Sequence, residues 1–406
     1  NVTYGQSVGE TTSEVRYRDA PRHQYMTEFQ TDEAIRLMEE FRDQPFFLML
    51  SYYAPHPRFI AESEEDLAFG RSIEQACIDE GQPDDKPLWI QLTARSMKPR
   101  AIEDCGQRSR SLQAALLQPV DRGVDRIFNA VERLVIANRT IIFFMADNGI
   151  VVGKRYLFKD KGMPHEGSIR VPLVAFPPGS GARTISRLVA ADLDVPATII
   201  DMAGVGLETQ GTSLLPAVED GAPLPQRSFL IENYGYLNWR NSEQLPLPPM
   251  IWSGIRTERW KYVEYVTGEV EAYDLQVDPG ETVNVASVTE YGETLEALRE
   301  GLHARRGLAI TSTGLPAAVL GEPYAFTFSS WGGTPPFHWS LSGGRLPEGI
   351  RLNPTLGTLD GVPEKPGRHR FTIRVGGQGE EQHSGRKEAL SMAMELCVSG
   401  GEFVCD

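Results

Sequence analysis

No apolar stretch in these 406 residues reaches the ~18 that a membrane-spanning helix needs. The longest apolar runs, such as Pro45 to Leu50, are only of strand length. Positive charge is also short. The chain has 40 Lys and Arg against 55 Asp and Glu, a formal net charge of −15. General nucleic-acid binding needs a basic face, so the acidic balance argues against that class. A small anionic substrate is not, because a local lysine cluster can override net charge. Cysteine is scarce, with four residues in two close pairs, Cys77/Cys105 and Cys397/Cys405. Two disulfides in an exported protein suit that spacing, and buried thiols fit it as well. The chain opens NVTYGQSVGE, which has neither the basic start nor the apolar h-region of a signal peptide. At 41% hydrophobic and 23% charged, the composition is that of a globular protein of two or three domains.

The most informative segment is IIFFMADNGIVVGKRYLFKDKGMPHEGSIRVPL, residues 141–173. An apolar run from Ile141 to Met145 delivers Asp147 and Asn148 to a turn at Gly149. A lysine-rich loop with Lys159 and Lys161 follows, then Glu166 and a second apolar strand around Val171 to Phe176. Carboxylate and amide oxygens at a strand's end suit a hard divalent cation such as calcium. Lysines beside them offer compact positive charge for an oxyanion. On its own, Asp-Asn-Gly is as often a plain turn.

Upstream, TDEAIRLMEEF from Thr31 to Phe41 has the spacing of a helix, and Pro45 to Leu50 reads as a buried strand. That strand ends in Ser51-Tyr52-Tyr53-Ala54-Pro55-His56. A second helix over roughly Ser111 to Leu134, bent near Pro119, feeds the Ile141 strand. Helix and apolar strand in alternation predict an α/β fold with a mostly parallel sheet between helices. Ligands gather at the carboxyl ends of strands in such sheets, so His56 and Asp147 are expected to face one site.

Five ordered signatures over residues 24–286 resemble those of the sulfatase family, of the arylsulfatase and glucosamine-6-sulfatase type. They are TDEAIRLMEEF with PFFLMLSYYAPHPRF; DDKPLWI at 84–90 with the helix near Arg108; the Asp-Asn-Gly segment with Lys161, Pro-x-Glu and Ile169-Arg170-Val171-Pro172-Leu173; RLVAADLDVPATIIDMAGV with GTSLLP; and IRTERWKYVEYVTGEVEAYDLQVDPGETVNVA. The resemblance implies an alkaline-phosphatase-type fold with an antiparallel C-terminal subdomain. It implies Asp147 and Asn148 as calcium ligands, Lys161 on the sulfate oxygens, and His56 near the nucleophile and leaving oxygen. The implied reaction is hydrolysis of sulfate esters, with sulfated small molecules or glycans as substrates. It further implies a periplasmic or extracellular location.

The sequence departs from that pattern in three places. Gly153-Lys154-Arg155-Tyr156 lacks the histidine many relatives carry after the glycine turn, and His165 stands where a tyrosine is common. The larger departure is the nucleophile. Sulfatases of this kind use a formylglycine made within Cys/Ser-x-Pro/Ala-x-Arg, and no Cys or Ser of these residues fits. Cys77 continues IDEG, Cys105 continues GQRS and Ser96 continues MKPR. The family's first Asp-Asp calcium pair is missing too, so the reading is a sulfatase lacking its amino-terminal part, with half a metal site. Two rivals are carried: a phosphoryl or phosphonate ester hydrolase of the same superfamily, and a non-catalytic binding or adhesion protein on a decayed sulfatase domain.

Beyond about Arg306, GLAITSTGLP reads as a small, polar linker. Short strands between Gly/Pro turns then predict a small all-β sandwich. GGTPPFHWSLSGGRLPEGIRLNPTLGTLDGVPEKPG resembles immunoglobulin-like repeats of secreted bacterial proteins, implying a spacer or a carbohydrate or surface contact. The expected division is a sulfatase core over 1–220, its C-terminal subdomain over 221–306, the Ig-like sandwich over 315–377, and a tail of uncertain order over 378–406.

Overall fold

The structure, a computed structural model, describes residues 3–8, 11–16, 25–56, 61–73, 83–88, 90–91, 107–154, 157–178, 185, 187–234, 251–312, 314–332, 336–377, 389–400 and 403–405. Cys77, Cys105, Ser96, Arg155 and Tyr156 lie outside the described residues. The chain divides into two units, one of residues 1–83, 90–161 and 165–226, the other of 84–89, 162–164 and 227–406.

The first unit begins with the hairpin β1 (Thr3–Val8) and β2 (Thr11–Arg16). Among the described residues follow the helices α1 (Met26–Phe41), α2 (Glu64–Ser72) and α3 (Gln107–Arg133). Ser63 caps α2 by accepting from the Asp66 N–H, and three acidic residues sit in that helix's first turn, where its dipole favours them. α1 and α3 bury Met38, Ala130 and Val131 with Ile136, and Phe46, Leu48 and Ile142 pack against this cluster. Only alternate residues of the Pro45–Leu50 run are therefore covered. Phe47 and Met49 remain 68% and 77% exposed.

Two expectations are corrected by this geometry. Residues 45–50 are not a ladder strand; only one face of the run finds apolar partners, and Pro45 brings no N–H. The Ile141 run is a strand, β3 (Ile142–Met145), but its described pairing is antiparallel. Its partner is β6 (Leu173–Phe176), with Ile142 opposite Phe176 and Met145 opposite Leu173. The chain leaves β3 and re-enters at β6 on the same end of the pair, with Met145 opposite Leu173, so the residues between form a return and not a crossover. Here the chain turns back through the hairpin β4 (Val151–Lys154) and β5 (Leu157–Asp160), then the one-turn helix α4 (Glu166–Ile169). The lysine-rich loop is thus largely a hairpin.

After β6 come α5 (Ala191–Met202) and α6 (Leu215–Glu219). Buried Asp194 accepts from the Ala190 and Thr212 amides at 2.9 and 2.8 Å, and Thr198 Oγ1 accepts from the Leu214 amide at 2.8 Å. These bonds explain why Asp-x-Pro-x-Thr is followed by Gly-Thr-Ser. Gly211 is forced, because a Cβ there would lie 1.9 Å from the Leu193 carbonyl oxygen.

One ion pair gives this unit an acid-sensitive tie. Buried Asp66 on α2 accepts from Arg122 on α3 at 2.8 Å, and that guanidinium holds the Asp66 carboxyl below its usual 3.8. A carboxyl depressed in the folded state contributes stability above its unfolded pKa and loses it as pH falls through the folded one. Asp66→Asn should cost ~1 kcal/mol at pH 7, since Arg122 is half exposed and solvent screens the pair. The difference from wild type should vanish well below pH 3.8. Urea midpoints at pH 7 and at pH 2.5 check this.

The second unit opens with the antiparallel sheet β7 (Phe229–Tyr234), β8 (Ile251–Arg256), β9 (Trp260–Tyr265) and β10 (Val270–Asp274), in the order β10-β9-β8-β7. Helix α7 (Gly292–His303) lays Leu295, Leu298 and Leu302 against Ile255, Tyr262 and Ala272. This is the antiparallel subdomain that the sequence predicts.

The sandwich is built from β11 (Ala309–Ile310), β12 (Ala318–Val319), β13 (Tyr324–Thr327), β14 (Ser330–Trp331), β15 (His338–Gly344), β16 (Ile350–Asn353), β17 (Thr358–Gly361), β18 (Gly367–Gly376) and β19 (Ala389–Ser399). Its sheets run β12-β19-β18-β15 and β13-β17-β16, with β11 on β14. Trp339, Leu359, Phe371, Ile373, Val375, Leu396 and Val398 fill the core. Two boundaries differ from the sequence reading. The expected linker enters the core through Leu308 and Ile310. The expected tail supplies β19, paired with β18 from Gly367–Val398 to Gly376–Ala389. From the end of β19, Cys397 forms a disulfide with Cys405, their Cα atoms 5.9 Å apart.

Candidate active site

β3 delivers Asp147 and Asn148 just past its carboxyl end, where the chain must turn to clear β6. Asp147 is exposed, and its Oδ1 accepts from the Asn148 backbone N–H at 2.8 Å. Asn148 Nδ2 donates to the Gly149 carbonyl at 2.8 Å, which turns its Oδ1 outward. Lys161, one residue beyond β5, brings Nζ to 3.5 Å from that Oδ1. The ammonium, the amide oxygen and the Asp147 carboxylate are therefore neighbours at one strand end.

Gly149 makes the turn possible. Its N–H donates to the Ser168 carbonyl at 2.8 Å, docking the turn against α4. A Cβ at 149 would lie 2.3 Å from the Gly167 carbonyl oxygen. Gly149→Ala should therefore push the turn off α4 and cost about 1–3 kcal/mol, the range for one overpacked contact and one lost buried hydrogen bond. Thermal unfolding with amide exchange at residue 149 checks it. His165, one of the departures from the family pattern, is fully buried at the start of α4. The sequence alone does not reveal the parts played by Gly149 and Ser168, although Gly149 and Gly167 bracket the segment.

His56 occupies a different anchor. The loop before it is tied to α1 by Gln30 Nε2 donating to the Ser51 carbonyl at 2.7 Å and by Thr31 Oγ1 and Tyr52 OH at 2.8 Å. Burial holds the Tyr52 phenol above its ordinary pKa, so it stays a neutral hydroxyl. α3 leaves room for that hydroxyl only because residue 123 is glycine; a Cβ there would lie 2.6 Å from it. His56 packs edge-on to Tyr53 at 5.1 Å, its N–H donates to the Tyr53 carbonyl, and the Ala54–Pro55 peptide is cis. Its Nδ1 is buried with no hydrogen-bond partner among the described residues. Among the described contacts, none joins His56 to Asp147, Asn148 or Lys161. Lys161 and Asn148 are brought together.

Calcium can be judged by its donors. Asp147 and Asn148 offer the hard oxygens it prefers, two of the ~6–8 it takes. Among the described residues, no group of three or more His, Cys, Asp or Glu could hold a metal. Donor type fits and donor number is incomplete.

Family models match this chain between residues 2 and 387. The sulfatase family model matches residues 2–205, the N-sulphoglucosamine sulphohydrolase C-terminal model residues 153–307, and a putative Ig domain model residues 307–387. Choline-sulfatase of Rhizobium meliloti is 26% identical over 298 residues, covering 70% of this chain and 54% of that protein. N-acetylglucosamine-6-sulfatase of Bos taurus is 28% identical over 297 residues, covering 64% and 52%. The chain thus spans about half the length of these relatives. Among solved structures, one holding D-glucosamine-2-N,6-O-disulfate matches with TM-score 0.57 at 19% identity, covering 73% of this chain and 71% of that one. The phosphonate monoester hydrolase of Agrobacterium radiobacter matches with TM-score 0.56 at 24% identity, covering 70% and 62%. Both show the alkaline-phosphatase-like α/β fold. With its Asp-Asn-Gly turn, its antiparallel subdomain and half its length matched by the family model, the chain belongs to the sulfatase family.

Proposed function

We propose that the protein hydrolyses sulfate esters, sulfated sugars foremost, and that this chain supplies the oxyanion-binding side of the site. The observation that carries the reading is Lys161 set against the Asn148 oxygen beside Asp147, in a chain of this family. Sulfuryl transfer keeps charge on three nonbridging oxygens and builds it on the leaving oxygen, so fixed cations are its main aid. In this reading Lys161 steadies the nonbridging oxygens, and His56 places a proton at the leaving oxygen. Asp147 and Asn148 would hold calcium, which supplies further positive charge to the oxyanion when bound. The nucleophile motif is not among these residues, so turnover requires a family-type segment carrying it. The reading extends to a periplasmic or extracellular protein whose Ig-like domain acts as a spacer, in preference to a carbohydrate contact.

The likeness to a phosphonate monoester hydrolase supports a second substrate class. Joining the chain to a sulfatase amino-terminal segment and assaying an aryl sulfate beside an aryl phosphonate monoester separates the two. Faster sulfate release is expected, and a preference for the phosphonate would favour the second class. Calcium affinity of residues 1–406 alone should be weak, because Asp147 and Asn148 supply only two of the ~6–8 oxygens that calcium takes. Titration calorimetry finding submicromolar affinity that Asp147→Ala abolishes would contradict the assignment of a half-site.

A further inference from the structure

The C-terminal subdomain and the Ig-like domain both lie within the second unit, and their family models meet at residue 307. Almost no chain is left between them. The Arg305 and Arg306 amides donate to the Leu302 carbonyl at 3.0 and 2.8 Å, which prolongs the last turn of α7. β11 begins at Ala309, and Leu308 is already buried in the sandwich core. Gly307 and Leu308 are all that separate the last helical bond from the first strand.

Arg306 spans this junction, with its side chain only 9% exposed. Its Nη1 donates to Glu264 Oε2 on β9 at 2.8 Å and to buried Ser253 Oγ on β8 at 3.4 Å. Its guanidinium carbon lies 4.5 Å from the centre of the Trp331 ring on β14. A guanidinium can do both at once, because its edge carries the N–H groups and its planar face stacks on aromatic rings. Glu264 is itself held. Tyr262 OH donates to its Oε1 at 3.1 Å, and His303 Nε2 lies 2.9 Å from the same atom. Burial alone would raise the Glu264 carboxyl; His303 and Arg306 outweigh it and hold the group below its usual 4.5, ionised at neutral pH. β14 is also the strand that receives the incoming chain, with Ala309 opposite Trp331 and Ile310 opposite Ser330. Gly332, just past it at φ +63°, comes so close that a Cβ would lie 2.2 Å from the Gly307 carbonyl oxygen.

Domains joined in one chain move against each other by default, across linkers with few contacts. We infer that the Ig-like domain is instead a rigid extension of the C-terminal subdomain, held at one angle by Arg306 between Glu264 and Trp331. A spacer so held sets a direction as well as a length, whether or not the protein hydrolyses sulfate esters.

The test uses residues 1–406. Nitrogen relaxation of the backbone amides gives a rotational correlation time for each part, and in the wild type β7–β10 and β11–β19 should share one value. Faster tumbling of the wild-type sandwich would overturn the rigid junction without any variant. Arg306→Met removes the cation from both contacts and leaves a trypsin site after Arg305. In that variant the sandwich should tumble faster than the subdomain. Trypsin cleavage after Arg305, which follows the population of the opened junction, should rise about tenfold, the scale of one charge-assisted hydrogen bond. Amide exchange within β8 and β18 should be unchanged, showing that both sheets persist. If Arg306→Met fails to fold, Gly332→Ala, which drives residue 332 off the Gly307 carbonyl, should move both readouts the same way. Wild-type tumbling and cleavage in a folded Arg306→Met, or in Gly332→Ala where that variant stands in for it, would overturn the inference.

Discussion

Residues 1–406 alone should not hydrolyse an aryl sulfate above background. Joined to a family-type amino-terminal segment with the nucleophile motif and its Asp-Asp pair, they should. In the joined enzyme Lys161→Ala should lower kcat/KM on the order of 10²-fold or more, the scale for removing one preorganised oxyanion partner. The isolated chain has cations at the strand end and no activated nucleophile for them to assist. Asp147→Ala should act in the same direction. Robust turnover by residues 1–406 would show that the nucleophile has been misjudged. A joined enzyme indifferent to both substitutions would show that the strand end is not the active site.

Lys261→Met should destabilise the second unit by about 3–5 kcal/mol, because it leaves the Glu281 carboxylate buried without its cation. Nearby Glu271 is fully buried as well and accepts from the Tyr265 and Tyr273 hydroxyls; burial and that carboxylate push both phenols well above their ordinary range. Lys261→Met with Glu281→Leu should recover most of the loss, since the charge and its partner leave together. Urea unfolding followed by tryptophan fluorescence measures both. A loss under ~1 kcal/mol in the single variant, well short of the usual cost of breaking a buried pair, would mean that Glu281 finds another partner or picks up a proton.

The candidate site was legible because its parts are local. An apolar run of strand length, an acid–amide pair and a glycine name a strand end, and Met145, Asp147, Asn148 and Gly149 stand in that order in space. The helices α1 and α3 were legible for the same reason, through spacing of their buried residues. Pairing direction was not. The hydrophobic pattern of Ile142–Met145 is the same for a parallel and an antiparallel partner, so it does not carry the direction in which β6 pairs. Residues 307–312 read as a linker because Leu308 and Ile310 are only two large apolar side chains among small polar ones; their burial depends on β14 and the distant β19. For β19 the signal was present. Met392, Met394, Leu396 and Val398 alternate at the strand period, behind a polar stretch that masked it.

The central claim is that Asp147, Asn148, Lys161 and His56 serve one oxyanion and metal site. Manganese prefers the same oxygen donors as calcium, and its unpaired electrons broaden nearby resonances. A titration of isotope-labelled residues 1–406 with Mn²⁺ therefore maps the site directly. The expected result is broadening at 147–149, at Lys161 and at the His56 ring, relieved by excess Ca²⁺ and absent in Asp147→Ala. Broadening at Asp147 that leaves His56 sharp, or broadening centred elsewhere in the chain, would contradict the shared site.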